Sequence, residues 1–226
     1  MNTFTINSAS VRWSVSADRL EAELASRPLL VLLHGYGSNA DDLFGLVDYL
    51  PDHFVIASVE APLPVGPGFA WYNLAPDPET GGFKRDIDEI NACTMALSRW
   101  LDALEARFGE LQGLSLLGFS QGGSMALQLL RRMPERIDSV VVLASFVTED
   151  PAPDTAIYDQ RLAEFKPRVF WGRDPRDPVI GPELIAYTRK WLPAHADLEE
   201  RLYSGIGHGI NAEELEDVSA FLSACA

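Results

Sequence analysis

Five consecutive apolar residues, Leu29-Leu30-Val31-Leu32-Leu33, follow a proline. A strand with one wet face alternates polar and apolar side chains. A run that does not alternate reads as a strand buried on both faces, as in a parallel sheet. Similar runs occur at 54–57, 114–117, 139–144 and 168–171, and 198–203 completes the set. Residues 3–16 alternate more and read as an antiparallel edge. Helical patterns lie between the runs. The clearest is 83–108, where Phe83, Ile87, Ile90, Thr94, Leu97, Leu101, Leu104 and Phe108 are spaced by four and three in turn and Gly109 gives a stop. Further helices are expected at 41–50, 121–133, 182–191 and 212–224, the last capped by Asn211 with Glu214 completing a capping box. Strands alternating with helices imply a mostly parallel central sheet with helices on both faces. Function then belongs at the carboxyl ends of the strands.

Composition narrows the function classes. The 226 residues carry 33 acidic and 18 basic side chains, a formal charge of −15. Nucleic acid requires a cationic surface, so it is not expected as a partner. Anionic membranes are disfavoured for the same reason. No apolar stretch approaches the ~20 residues of a membrane span, and no stable membrane insertion is expected. Cys93 and Cys225 form neither a metal spacing nor a disulfide scaffold. The first residues lack a basic region followed by an apolar one, so no signal peptide is read. A length of 226 fits one large α/β domain or two small ones, and a cytoplasmic protein is the expectation.

The strand ends carry the chemistry. After 114–117 comes Gly118-Phe119-Ser120-Gln121-Gly122, then Gly123 and a helical pattern. A G-x-S-x-G sequence between strand and helix puts a serine on a sharp turn, with small neighbours that allow close packing. The helix start aims N–H groups at the same spot. Serine needs a base. Of His34, His53, His195 and His208, only the last two follow Ser120. His208 lies after the last strand, in Gly205-Ile206-Gly207-His208-Gly209, whereas His195 precedes that strand and reads as a solvated loop residue. An acid that orients the histidine is sought after 168–171, where spacing leaves both Asp174 and Asp177 open. Asp177 is favoured because it precedes an extended Pro178-Val179-Ile180. The run 29–33 ends in His34-Gly35-Tyr36-Gly37, a loop able to turn an N–H inward. Tyr36 and Gln121 are the expected oxyanion donors, and His34 is expected to hydrogen-bond loop backbone.

His34-Gly35-Tyr36-Gly37, Gly118-Phe119-Ser120-Gln121-Gly122-Gly123, Asp177-Pro178-Val179-Ile180 and Gly207-His208 occur in this order. Together they resemble the α/β-hydrolase family of small carboxylesterases, lysophospholipases and acyl-protein thioesterases. The resemblance implies a single domain of α/β-hydrolase fold over residues 1–226 with a minimal cap, needing no metal or cofactor. It implies a nucleophile at Ser120, an acid at Asp177, a base at His208 and oxyanion donors at Tyr36 and Gln121. Family members often carry leucine where Tyr36 stands, so its ring would line or crowd the acyl pocket. Trp71-Tyr72 matches an aromatic pair of the family and, with Phe119, is expected at the substrate, although core packing explains the pair equally well. Residues 146–165 are the one stretch able to cover the site. The implied substrate is a small-molecule ester or thioester of short to medium acyl chain, handled by a monomer or homodimer. The alternative is a non-catalytic binding module on the same fold.

Overall fold

A computed structural model describes residues 4–78 and 82–225. The chain begins with β1 (Arg12–Trp13), α1 (Leu20–Leu24), β2 (Leu29–Leu33), α2 (Ala40–Phe44) and β3 (Val55–Val59). Two short ribbons follow: β4 (Leu63–Val65) with β5 (Gly68–Ala70), and β6 (Leu74–Pro76) with β7 (Phe83–Arg85). The long α3 (Ile87–Phe108) leads to β8 (Leu114–Phe119), α4 (Gln121–Arg132) and β9 (Ser139–Leu143). Then come α5 (Thr155–Phe165), β10 (Arg168–Arg173), α6 (Pro182–His195), β11 (Asp197–Leu202) and α7 (Ala212–Ser223).

Seven strands form the main sheet in the order β1-β3-β2-β8-β9-β10-β11. Only β1 runs antiparallel to its neighbour. The non-alternating runs have the expected cause. Leu29, Val31 and Leu33 enter one core with Val140, Val142, Val169 and Trp171, and α1, α3, α4 and α6 cover that face. Leu30 and Leu32 enter the other with Val141, Leu143 and Phe170, under α2 and α7. The inner strands β2, β3, β8, β9 and β10 therefore bury both faces, about 1.5–3 kcal/mol for each large aliphatic side chain, while the edge strands β1 and β11 stay partly exposed. No helix among the described residues is long and apolar enough to cross a membrane.

The chain reverses direction across the sheet between β2 and β8. From β2 it steps outward to β3, then crosses back over β2 to β8. Such a switch point leaves a crevice at the strands' carboxyl ends. Leu33 pairs with Gly118 in this register, so the loops after β2 and β8 emerge side by side.

Three local expectations need correction. Helix α3 does not begin at 83: Phe83 belongs to the β6–β7 ribbon and is 53% exposed. Asp86 caps the helix instead, accepting from Glu89 N–H at 3.1 Å, and the stripe from Ile90 to Leu104 is buried. Asn211 caps α7 by accepting from Glu214 N–H at 2.8 Å, but the Glu214 carboxyl is buried without a hydrogen-bond partner among the described residues. Only half of the capping box is present. His195 ends α6, its Nδ1–H donating to Trp191 O at 2.7 Å and its ring stacked on the Trp191 ring, rather than lying in a solvated loop.

Candidate active site

The turn between β8 and α4 is held by backbone contacts. A Cβ at Gly122 would fall on the Leu33 carbonyl, and one at Gly118 on the Gly122 carbonyl. Glycine at both positions lets α4 press onto β2 and β8. Ser120 sits between them with φ 52° and ψ −117°, a conformation that L residues rarely adopt. Its N–H donates to Leu143 O at 2.9 Å. Its carbonyl accepts from the Ser145 hydroxyl at 2.5 Å, and Ser145 O in turn accepts from the Trp171 indole at 3.0 Å. The strain is thus held from behind by β9 and β10.

His208 lies 2.9 Å from Ser120 Oγ through Nε2 and 2.7 Å from Asp177 Oδ2 through Nδ1. A carboxylate only accepts, so Nδ1 carries the proton and Nε2 is free to accept from the serine hydroxyl. The second Asp177 oxygen accepts from Val179 N–H at 2.7 Å and Ile180 N–H at 3.2 Å, which fixes the carboxylate plane. The Phe119 ring packs on His208, with centroids 5.1 Å apart. Of the two aspartates that spacing left open, Asp177 contacts the histidine. Asp174 is turned toward backbone and accepts from Arg176, Gly205 and Gly207 N–H groups at 2.8 Å each. Arg173 pairs with Glu200 instead.

Tyr36 and Gln121 both border the cleft beside Ser120. Neither backbone N–H meets an acceptor among the described residues, as expected for the free N–H at the start of α4. His34, behind the loop, is fully buried. Its Nε2 accepts from Ala61 N–H at 3.1 Å, so Nδ1 donates to Gly35 O at 2.8 Å. Burial pushes its pKa down and keeps it neutral. It braces the loop, as expected.

The cleft measures about 850 Å³. Phe119 and Tyr72 line it, but Trp71 does not. Trp71 is fully buried and its indole N–H donates to His34 O at 2.8 Å, so it supports the loop from the core. The expected aromatic wall is therefore Tyr72 alone, whose hydroxyl meets Ser124 Oγ at 2.8 Å and whose pKa burial raises to about 12. The Gln121 side chain joins this wall to the elbow. Its carbonyl accepts from Trp71 N–H at 2.8 Å and its amide donates to Tyr72 O at 2.7 Å.

The remaining walls were not read from the sequence. Leu74, Phe83 and Arg85 of the β6–β7 ribbon form one side, and Val179 and Leu184 another. From 146–165, the stretch expected to cover the site, only Phe146 reaches the cleft, while α5 packs on α4 and α6. The Asp86-x-x-Glu89 cap pattern, which starts the helix at 87 rather than 83, was the signal that could have freed 83–85 for the ribbon.

Known proteins share this arrangement of strands. A carboxylesterase from Mesorhizobium loti superposes with a TM-score of 0.75 at 21% identity, covering 98% of this chain and 99% of that one. The Bacillus cereus carboxylesterase gives 0.76 at 20% identity, covering 96% and 94%. Acyl-protein thioesterase 1 of Candida albicans is 25% identical over 227 residues, 92% of this chain and 97% of the relative. The profile of the phospholipase/carboxylesterase family matches residues 20–226. The chain belongs to the phospholipase/carboxylesterase family of α/β-hydrolases.

Proposed function

We propose that this chain hydrolyses carboxylic esters or thioesters of short to medium acyl chain through an acyl-enzyme on Ser120. The observation that carries the reading is the unbroken series Ser120 Oγ to His208 Nε2 and His208 Nδ1 to Asp177. Ser120 attacks the acyl carbon while His208 takes its proton, and Asp177 stabilises the imidazolium that forms. The tetrahedral oxyanion rests on the Tyr36 and Gln121 N–H groups. His208 then protonates the leaving alkoxide or thiolate. A water, deprotonated by His208, releases the acid and restores Ser120.

The open cleft, without a helical cover, supports compact substrates over long acyl chains in this reading. The names of the relatives, carboxylesterase and acyl-protein thioesterase, support both ester and thioester chemistry. The sheet takes strands from both ends of the chain, β1 and β11, which supports one domain over residues 1–226. Both cysteines are free, in keeping with a reducing compartment such as the cytoplasm.

The test is a panel of 4-nitrophenyl esters and acyl-CoA thioesters, from acetyl to palmitoyl, on wild type and Ser120→Ala. Turnover by wild type with an optimum at short or medium chains, lost in the variant, supports the proposal. Equal turnover by both proteins excludes Ser120 as nucleophile, and no turnover by either favours a binding module.

A further inference from the structure

Arg85 is the only lysine or arginine among the described residues that line the cleft. It closes β7 opposite Leu74 and lines the same cleft as Ser120 and His208. Its guanidinium lies 4.6 Å above the centre of the Phe146 ring. That contact occupies one face of the plane and leaves the N–H edge uncommitted. No carboxylate among the described residues lies within ion-pair distance of it, and no hydrogen-bond acceptor among them meets it. Most other arginines of the chain have such partners: Arg12, Arg27, Arg131, Arg132, Arg136 and Arg173 all pair with acids. Burial lowers the Arg85 pKa, so water compensates the charge incompletely, while Tyr72 and Glu183 act on it only through space.

A half-buried guanidinium with no counter-ion among the described residues is only partly compensated by water, and an anion that enters the cleft can complete the pairing. The acids that share the cleft are otherwise placed. Asp177 serves His208, Asp42 accepts from the Ser38 hydroxyl at 2.6 Å, and Glu183 is exposed. In a chain of net charge −15, a lone cation among the described residues lining the cleft that holds Ser120 is the feature that would draw an anion in. The guanidinium edge matches a carboxylate bidentately.

From this we infer that Arg85 is a specificity-determining residue that binds a carboxylate carried by the substrate, away from the bond that is cleaved. The preferred substrates are then anionic esters such as half-esters of dicarboxylic acids. This rests on the esterase reading and adds the charge of the substrate to it.

The test compares kcat/KM for matched charged and neutral esters. Hydrogen 4-nitrophenyl adipate against 4-nitrophenyl hexanoate places the charge on the acyl side. 4-(Hexanoyloxy)benzoate against phenyl hexanoate places it on the leaving-group side. Taking the charged-to-neutral ratio cancels any difference in the amount of folded enzyme. For at least one pair, Arg85→Met lowers the ratio by about 10- to 100-fold, the range for hydrogen bonds to a charged group. Arg85→Lys, which keeps the charge and loses the fork, falls between. Glu183→Gln raises the ratio, because a competing carboxylate is removed. Ratios unchanged in Arg85→Met for both pairs overturn the inference. A fall in Glu183→Gln equal to that in Arg85→Met also overturns it, since Arg85 would then serve Glu183 rather than substrate. Absence of any Ser120-dependent turnover of the neutral esters defeats the esterase reading itself, and this inference with it.

Discussion

Asp174 holds the loop that carries His208 without touching the imidazole: its Oδ2 accepts from Gly205 N–H and Gly207 N–H, each at 2.8 Å. Both glycines have positive φ, 89° and 62°, so the loop needs an outside anchor to keep its shape. These backbone hydrogen bonds, with that from Arg176, hold the Asp174 pKa below the usual carboxylate range. Asp177 meets the ring and Asp174 meets the backbone that presents it.

The two aspartates should therefore fail differently. Asp177→Asn removes the acceptor that fixes the His208 tautomer, and kcat should fall by about 10⁴. Asp174→Asn turns an amide toward two N–H donors and loosens the loop. Its kcat should fall by about 10- to 100-fold with KM little altered. Steady-state kinetics on one ester distinguish them, and a reversed order would exchange the roles given to the two residues.

Gln121 has a structural task in its side chain besides the N–H proposed for the oxyanion. Gln121→Ala keeps that N–H but strips Trp71 N–H and Tyr72 O of their partners in a buried setting. Stability should drop by about 2–4 kcal/mol, measured by urea unfolding. Turnover at low temperature should fall far less than in Ser120→Ala. An unfolding midpoint equal to wild type would show that the clamp contributes nothing.

Glu214 makes stability depend on pH. Burial raises its pKa from 4.5 to about 8 in the folded chain. The folded state therefore keeps a proton that the unfolded state releases, and stability falls as pH rises from about 4.5 through 8. The contribution is fully present below the lower value. It is lost by about pH 9, a change of about 3–5 kcal/mol. Glu214→Gln has no such proton to lose, so its advantage over wild type should grow between pH 5 and pH 9. Unfolding curves at both pH values that differ by the same amount would remove Glu214 from the account.

Much of this architecture was legible in the sequence because the inner strands of its main sheet are buried on both faces. Runs such as Leu29–Leu33 have no alternation to mistake, and the structure starts and stops β2 at those residues. The elbow was legible because glycine at 118 and 122 answers a backbone contact that allows no Cβ. The β6–β7 ribbon was not. Its strands are three residues long, and Phe83 happens to lie four residues before Ile87, in phase with the helical stripe. The separation of Tyr72 from Trp71 was equally hidden. Adjacent aromatics carry no period, and both are buried in the same core; only Tyr72 also reaches the cleft, while Trp71 is held behind the loop by its long-range bond to His34 O. The anchoring role of Asp174 had no local signal because the two loop glycines it holds are 31 and 33 residues away.

The most direct measurement of the central claim is covalent labelling by a fluorophosphonate, located by peptide mass spectrometry. The probe reacts with a serine only when a neighbouring base activates it. The account predicts one adduct, on Ser120, that forms in wild type and is lost in His208→Ala. An adduct on another residue, or labelling of Ser120 that persists undiminished without His208, would contradict it.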